Sequence, residues 1–180
     1  MDNPDFIKSQ NLTRYAIIGV LLLLLLVIFQ KFFVVIFLIA INIFISFYIG
    51  KYQVKNIGIE LVTFTTILTG VVFGPATGAM VGLALIISHL IIGHFAFGAY
   101  ILWLIPSYIV LGFLSGAVTG FDFFALGIYL TLGMNAFNLI LTALIFPQNL
   151  GNYLPYSITN IMFNFIMFSF FGPAIYGLVK

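Results

Sequence analysis

The chain has 180 residues, 63% of them hydrophobic and 6% charged, with six basic against four acidic side chains and a mean hydropathy of +1.27. A soluble domain carries about a quarter charged residues, so this composition excludes a water-facing globule and points to an integral membrane protein. A net charge of +2 is too small to suggest a nucleic-acid partner, and the absence of cysteine excludes disulfides, thiolate chemistry and cysteine metal sites.

Residues 1–14 read as a polar N-terminal tail, with Asp2 and Asp5 ahead of the first apolar run, which is not the pattern of a cleavable signal. Apolar runs follow at 15–29, 32–50, 57–73, 76–92, 98–120, 123–146 and 155–179. A helix needs about 20 residues to cross about 30 Å of hydrocarbon. The run at 32–50 and the last three meet that length, while 57–73 and 76–92 are short, as in a tight hairpin or a tilted pair. Only Gln30-Lys31 separates 15–29 from the next run, so this segment either spans or lies in the interface as an anchor. The expectation is an all-α integral membrane protein of the cell membrane, multi-pass. Residues 15–180 are expected to form a single compact six-helix transmembrane bundle with a possible additional N-terminal helix, six or seven in all. The connections are short: 51–56 (KYQVKN), the Gly74-Pro75 turn, 93–98 (GHFAFG), 120–122 (GFD) and 147–155 (PQNLGNYLP), the last with the clearest turn chemistry.

Soluble catalytic signatures are missing. There is no phosphate loop, no HExxH and no GxSxG. His89 and His94 are five residues apart, about 140° around a helix, and so do not share a face as metal ligands. Neither an enzyme nor a bound cofactor or metal is expected. Gly70, Gly74, Gly78 and Gly82 recur every four residues, as do Gly112, Gly116 and Gly120. That spacing lines small residues along one stripe and lets a neighbouring backbone approach closely. Pro75 suits the first turn of the helix that follows it.

Polar residues inside the apolar runs are also spaced. Asn42 pairs with Ser46 and Glu60 with Thr63. Thr131, Asn135, Asn138 and Thr142 form one stripe, and Ser157, Asn160 and Asn164 another. Such stripes face a bundle interior or a wet cavity, and for each residue an interhelical hydrogen bond is the alternative to a ligand contact. Alternating the helices across the membrane puts connections 51–56, 93–98 and 147–155 on one face. Glu60, His89, Trp103, Asn138, Thr142, Ser157 and Asn160 then gather beneath them. A mostly apolar pocket with a few convergent polar groups is the composition of a small-molecule site.

The run LTGVVFGPATGAMVGLALIISHLI resembles the Gly-Pro helical hairpin of the substrate-binding S components of energy-coupling factor (ECF) transporters. YLPYSITNIMFNFIMFSFFGPAIYGLVK is similar to their last helix. The likeness covers residues 32–180. It implies a high-affinity binder of a vitamin or similar micronutrient, embedded in the lipid bilayer. Its partners would be a membrane coupling subunit and two cytosolic ATPases, and its site would lie in the outer half under the three connections. Glu60, His89, Trp103, Asn138, Asn160 and Asn164 are the expected pocket residues: Trp103 to stack on a ring, the amides to orient it, and Glu60 or His89 to meet a polar or charged group. That family's first helix bears an Ala-x-x-x-Ala face, whereas 32–50 holds Ala40 alone. The break after the first apolar run resembles the rod-shape protein MreD, whose hairpin often carries Asp where His89 stands. That likeness implies a membrane scaffold in envelope assembly with no ligand. Orientation turns on 15–29. If it spans, Lys8, Arg14, Lys51 and Lys55 share one face; if not, Lys8, Arg14, Lys31 and Lys180 share the other, which the positive-inside rule makes cytoplasmic.

Overall fold

The computed structural model describes residues 4–95 and 98–180; residues 1–3 of the polar N-terminal stretch and 96–97 of the 93–98 connection lie outside the described residues. Seven helices occur among the described residues: α1 (Pro4–Ile28), α2 (Gln30–Tyr52), α3 (Val62–Phe73), α4 (Pro75–Ile92), α5 (Ile101–Ala117), α6 (Phe123–Ile145) and α7 (Pro147–Val179). No strand occurs among them. Helices α2, α4, α6 and α7 are long and apolar enough to cross a bilayer.

The centre of the fold is α3. It is the shortest helix, and every residue from Val62 to Gly70 is buried, so it is enclosed on all faces. The small-residue stripes explain how. A Cβ at Gly78 would stand 2.5 Å from the Gly70 Cα, one at Gly82 would stand 2.5 Å from the Tyr108 carbonyl oxygen, and one at Gly116 would stand 2.5 Å from both the Gly70 carbonyl oxygen and the Pro75 nitrogen. Helices α3, α4 and α5 therefore touch backbone to backbone, which any larger residue would prevent. Two members of the stripes act differently. Gly74 (φ +95°) and Gly120 (φ +89°) have open space around them and supply the left-handed turns after α3 and α5. Pro75 opens α4, where its missing N–H removes no helical bond.

Three boundaries differ from the sequence expectation. The run read as 57–73 is helical only from Val62. Residues 57–60 have no regular secondary structure, and Gly58 and Glu60 are buried. Non-helical backbone inside an apolar bundle needs partners, and side chains of α2 and α7 provide them. Gly58 N–H donates to Thr159 Oγ1 at 2.7 Å, its carbonyl accepts from Asn160 Nδ2 at 3.2 Å, and Leu61 N–H donates to Asn42 Oδ1 at 3.1 Å. The 147–155 stretch, expected as a loop, is a single 3₁₀ turn (Pro147–Asn149) followed directly by α-helix from Leu150. Pro155 sits inside that helix, and the carbonyl it leaves without a helical partner belongs to Gly151, which is exposed. Further along, α7 widens to a π turn at Met167–Phe171, immediately before Pro173, where a proline ring would crowd a regular ladder.

Helix α1 begins at Pro4, so the polar stretch continues into the helix of the first apolar run. Its described side chains are exposed. Hydrogen bonds run from Phe29 N to Leu25 O (2.9 Å) and from Phe33 N to Phe29 O (3.0 Å), so the ladder carries through the junction. Phe29 alone departs from helical geometry there, with φ −102° and ψ 15°. The two helices are joined by a bend.

Candidate functional site

A cavity of about 260 Å³ opens where four helix ends meet beneath the α2–α3, α4–α5 and α6–α7 connections. Each helix contributes residues at helical spacing. From α4 come Ile86, His89 and Leu90; from the start of α5, Tyr100, Trp103 and Leu104; from the end of α6, Thr142 and Phe146. The first turns of α7 add Asn149, Asn152, Tyr153 and Tyr156, which follow the i, i+3, i+4, i+7 pattern of one helix face. Lys55, Asn56 and Phe95 close the rim from two connections. The size lies just below that of organic-molecule sites, which run from about 300 Å³ upward, and the lining has their usual mix of apolar walls and a few polar groups.

Aromatic rings dominate the wall. Trp103 stacks on Phe146 with ring centres 6.0 Å apart and planes 21° from parallel, and Tyr153 stacks on Tyr156 at 5.7 Å and 22°. Phe95 covers His89 at 5.0 Å and also lies 5.9 Å from Lys55 Nζ. The Lys55 ammonium donates to the His94 carbonyl oxygen and so fixes the turn in which His94 takes a positive φ. Among the described residues, no carboxylate lines the cavity.

The six residues expected at a pocket fall into two groups. His89 and Trp103 line the cavity. The other four are absent from its wall and bond to other buried side chains or to the backbone. Glu60 Oε1 accepts from Thr63 Oγ1 (2.7 Å), Asn160 Nδ2 (2.8 Å) and Tyr108 Oη (3.4 Å), and Oε2 accepts from Thr63 N (3.1 Å). The carboxyl thus caps α3, where the helix dipole favours negative charge. Both Asn160 amide protons are committed, to Gly58 and Glu60, and its Oδ1 accepts from Asn135 Nδ2 at 2.9 Å. Asn164 donates to the Asn160 carbonyl at 3.0 Å, and the Asn138 amide lies 3.2 Å from Ser107 Oγ. These polar stripes are buried, as their spacing implies. Most of their side-chain bonds go to the carbonyl four residues back on the same helix, while Asn42 and Asn160 hold the 57–61 segment.

Sequence reasoning misses Tyr153, Tyr156, Asn149 and Asn152 because the Pro, Asn and Gly of 147–155 signal a turn. The helical periodicity that would expose them is present, though masked by that turn chemistry. Phe95, Tyr100 and Phe146 carry no signal of their own among 22 phenylalanines and nine tyrosines. Comparison with protein-family models, with curated proteins and with solved structures finds no match to this chain.

Proposed function

We propose that the protein is a multi-pass cell-membrane subunit that captures a vitamin or similar micronutrient for uptake, as its resemblance to ECF S components implies. The observation that carries this reading is the cavity itself: about 260 Å³, walled by stacked aromatic rings and amides from four helix ends, beneath three connections at one end of the bundle. The peripheral apolar side chains and the four helices of spanning length support the membrane setting. The absence of a phosphate loop agrees with energy supplied by separate ATPases through a coupling subunit.

A thermal-shift screen of detergent-purified protein against vitamins tests it. A ligand that binds the folded state raises the midpoint in proportion to its saturation, and Trp103→Ala and Tyr153→Ala should abolish the rise. A screen with no stabilising compound, or one whose hit is unaffected by both substitutions, removes the reading. The second reading is an MreD-like scaffold, favoured by one observation: the described apolar side chains of α1 are exposed all round, a surface free for another membrane protein. Recovery of envelope-assembly proteins, without ATPases, on affinity purification from membranes would support that alternative.

A further inference from the structure

His89 is 2% exposed, and its two nitrogens have unequal roles. Nδ1 lies 2.8 Å from Ser46 Oγ, and the same hydroxyl lies 2.7 Å from the Asn42 carbonyl oxygen. A carbonyl only accepts, and a serine hydroxyl has one proton. The proton therefore points to Asn42, and Ser46 receives its second bond from His89. This makes Nδ1 the protonated nitrogen of a neutral imidazole and leaves Nε2 with a bare lone pair. Nε2 is buried without a partner. With Nδ1 turned to α2, Nε2 points away from that helix, and the ring it belongs to lines the cavity.

A buried acceptor without a donor is costly and calls for a partner. A metal ion is one class of partner for a free Nε2, but no cluster of three His, Cys, Asp or Glu occurs among the described residues. A proton donor is the other class, and at a cavity wall it comes from water or from a ligand that displaces that water. At the rim, Lys55 is the one charged side chain among the described residues of the wall, and one of its three ammonium protons is given to the His94 carbonyl. The two stacked ring pairs, Trp103 with Phe146 and Tyr153 with Tyr156, line the same cavity.

We infer that the cavity takes a flat aromatic or heteroaromatic ligand that donates a ring N–H or O–H to His89 Nε2 and presents an acceptor or anionic group towards Lys55. This rests on the capture reading and specifies its substrate class. Ser46 and Asn42 are positioning residues, because they fix which imidazole nitrogen accepts.

Isothermal titration of the detergent-purified protein with matched probes tests the inference. Theophylline and caffeine differ by one ring N–H against N–CH₃, as do indole-3-acetate and 1-methylindole-3-acetate. The N–H member of each pair should bind about tenfold tighter or more, the ordinary effect of stranding one buried polar group. His89→Phe keeps a ring against Phe95 and should erase the preference within each pair. Ser46→Ala frees the tautomer, so it should narrow the preference while leaving His89 in place, and it serves if His89→Phe does not fold. Lys55→Gln should weaken indole-3-acetate more than theophylline. Equal binding within both pairs overturns the inference, and so does a preference that survives His89→Phe, which would be steric. If none of the four probes binds while a vitamin stabilises the protein, the ligand class is wrong and the capture reading stands. If no vitamin binds either, both fall.

Discussion

At the scale of single residues, the Glu60 carboxyl receives four donors, three of them on fully buried side chains. Deleting it strands Thr63, Asn160 and Tyr108 together, so Glu60→Ala should cost about 3 kcal/mol or more of stability. Glu60→Gln keeps one oxygen for these donors but sets an NH₂ where the other accepted, and its stability should fall between the two. Trp103 is partly exposed and lines the cavity. Trp103→Ala should leave the thermal midpoint near the parent's while removing ligand stabilisation. Measuring the midpoints in one detergent, with and without ligand, checks this division of labour. If Glu60→Ala keeps its stability and loses only binding, the carboxyl belongs to the site after all.

At the scale of elements, the three-helix contact of α3, α4 and α5 depends on hydrogen atoms where other residues have methyl groups. A Cβ at Gly112 would enter the backbone of Gly78 and Ala79, which are main-chain atoms without a rotamer to yield. Gly112→Ala should therefore destabilise by about 1–3 kcal/mol. Gly133 on α6 has nothing within 4 Å, and Gly133→Ala should be neutral or slightly stabilising, since alanine is the better helix former. Chemical or thermal unfolding of the two variants decides it; equal effects would show that the stripe does not hold the helices together. This stripe is legible in the sequence because a four-residue repeat survives into the folded helix unchanged. The non-helical 57–61 segment is not, since its hydrophobic residues read as a continuation of α3. What holds it out of the helix is a set of bonds to Asn42, Thr159 and Asn160, which lie 19 to 102 residues away in the chain. The same polar residues are legible as buried but not as partners of a particular backbone. Of the cavity, the sequence marks its place beneath three connections and three of its wall residues, His89, Trp103 and Thr142. The aromatic walls are hidden, because ring stacking depends on how helix ends converge and not on spacing within one helix.

At the scale of the whole molecule, the bend at Phe29 bears on which way the protein faces. A helix that joins its successor through one residue, with hydrogen bonds on both sides of the junction, does not reverse direction to recross a bilayer beside it. Helices α2 to α7 then alternate so that Lys31 and Lys180 lie at one end and Lys51 and Lys55 at the end holding the cavity. Arg14, on α1, stays with the first group. In the proposed membrane setting, basic residues gather on the cytoplasmic side, which favours an outward cavity, as the proposed capture role requires. Tags at Met1 and Lys180 should both be shielded from external protease in intact cells. The chain has no cysteine, so an Asn149→Cys variant offers a single thiol at the cavity end, and a membrane-impermeant maleimide should label it from outside. Terminal tags on opposite faces would mean that α1 crosses the bilayer and would turn the cavity towards the cytosol. Labelling of the introduced thiol only after permeabilisation would do the same independently, and an importer could not then take its substrate through this opening.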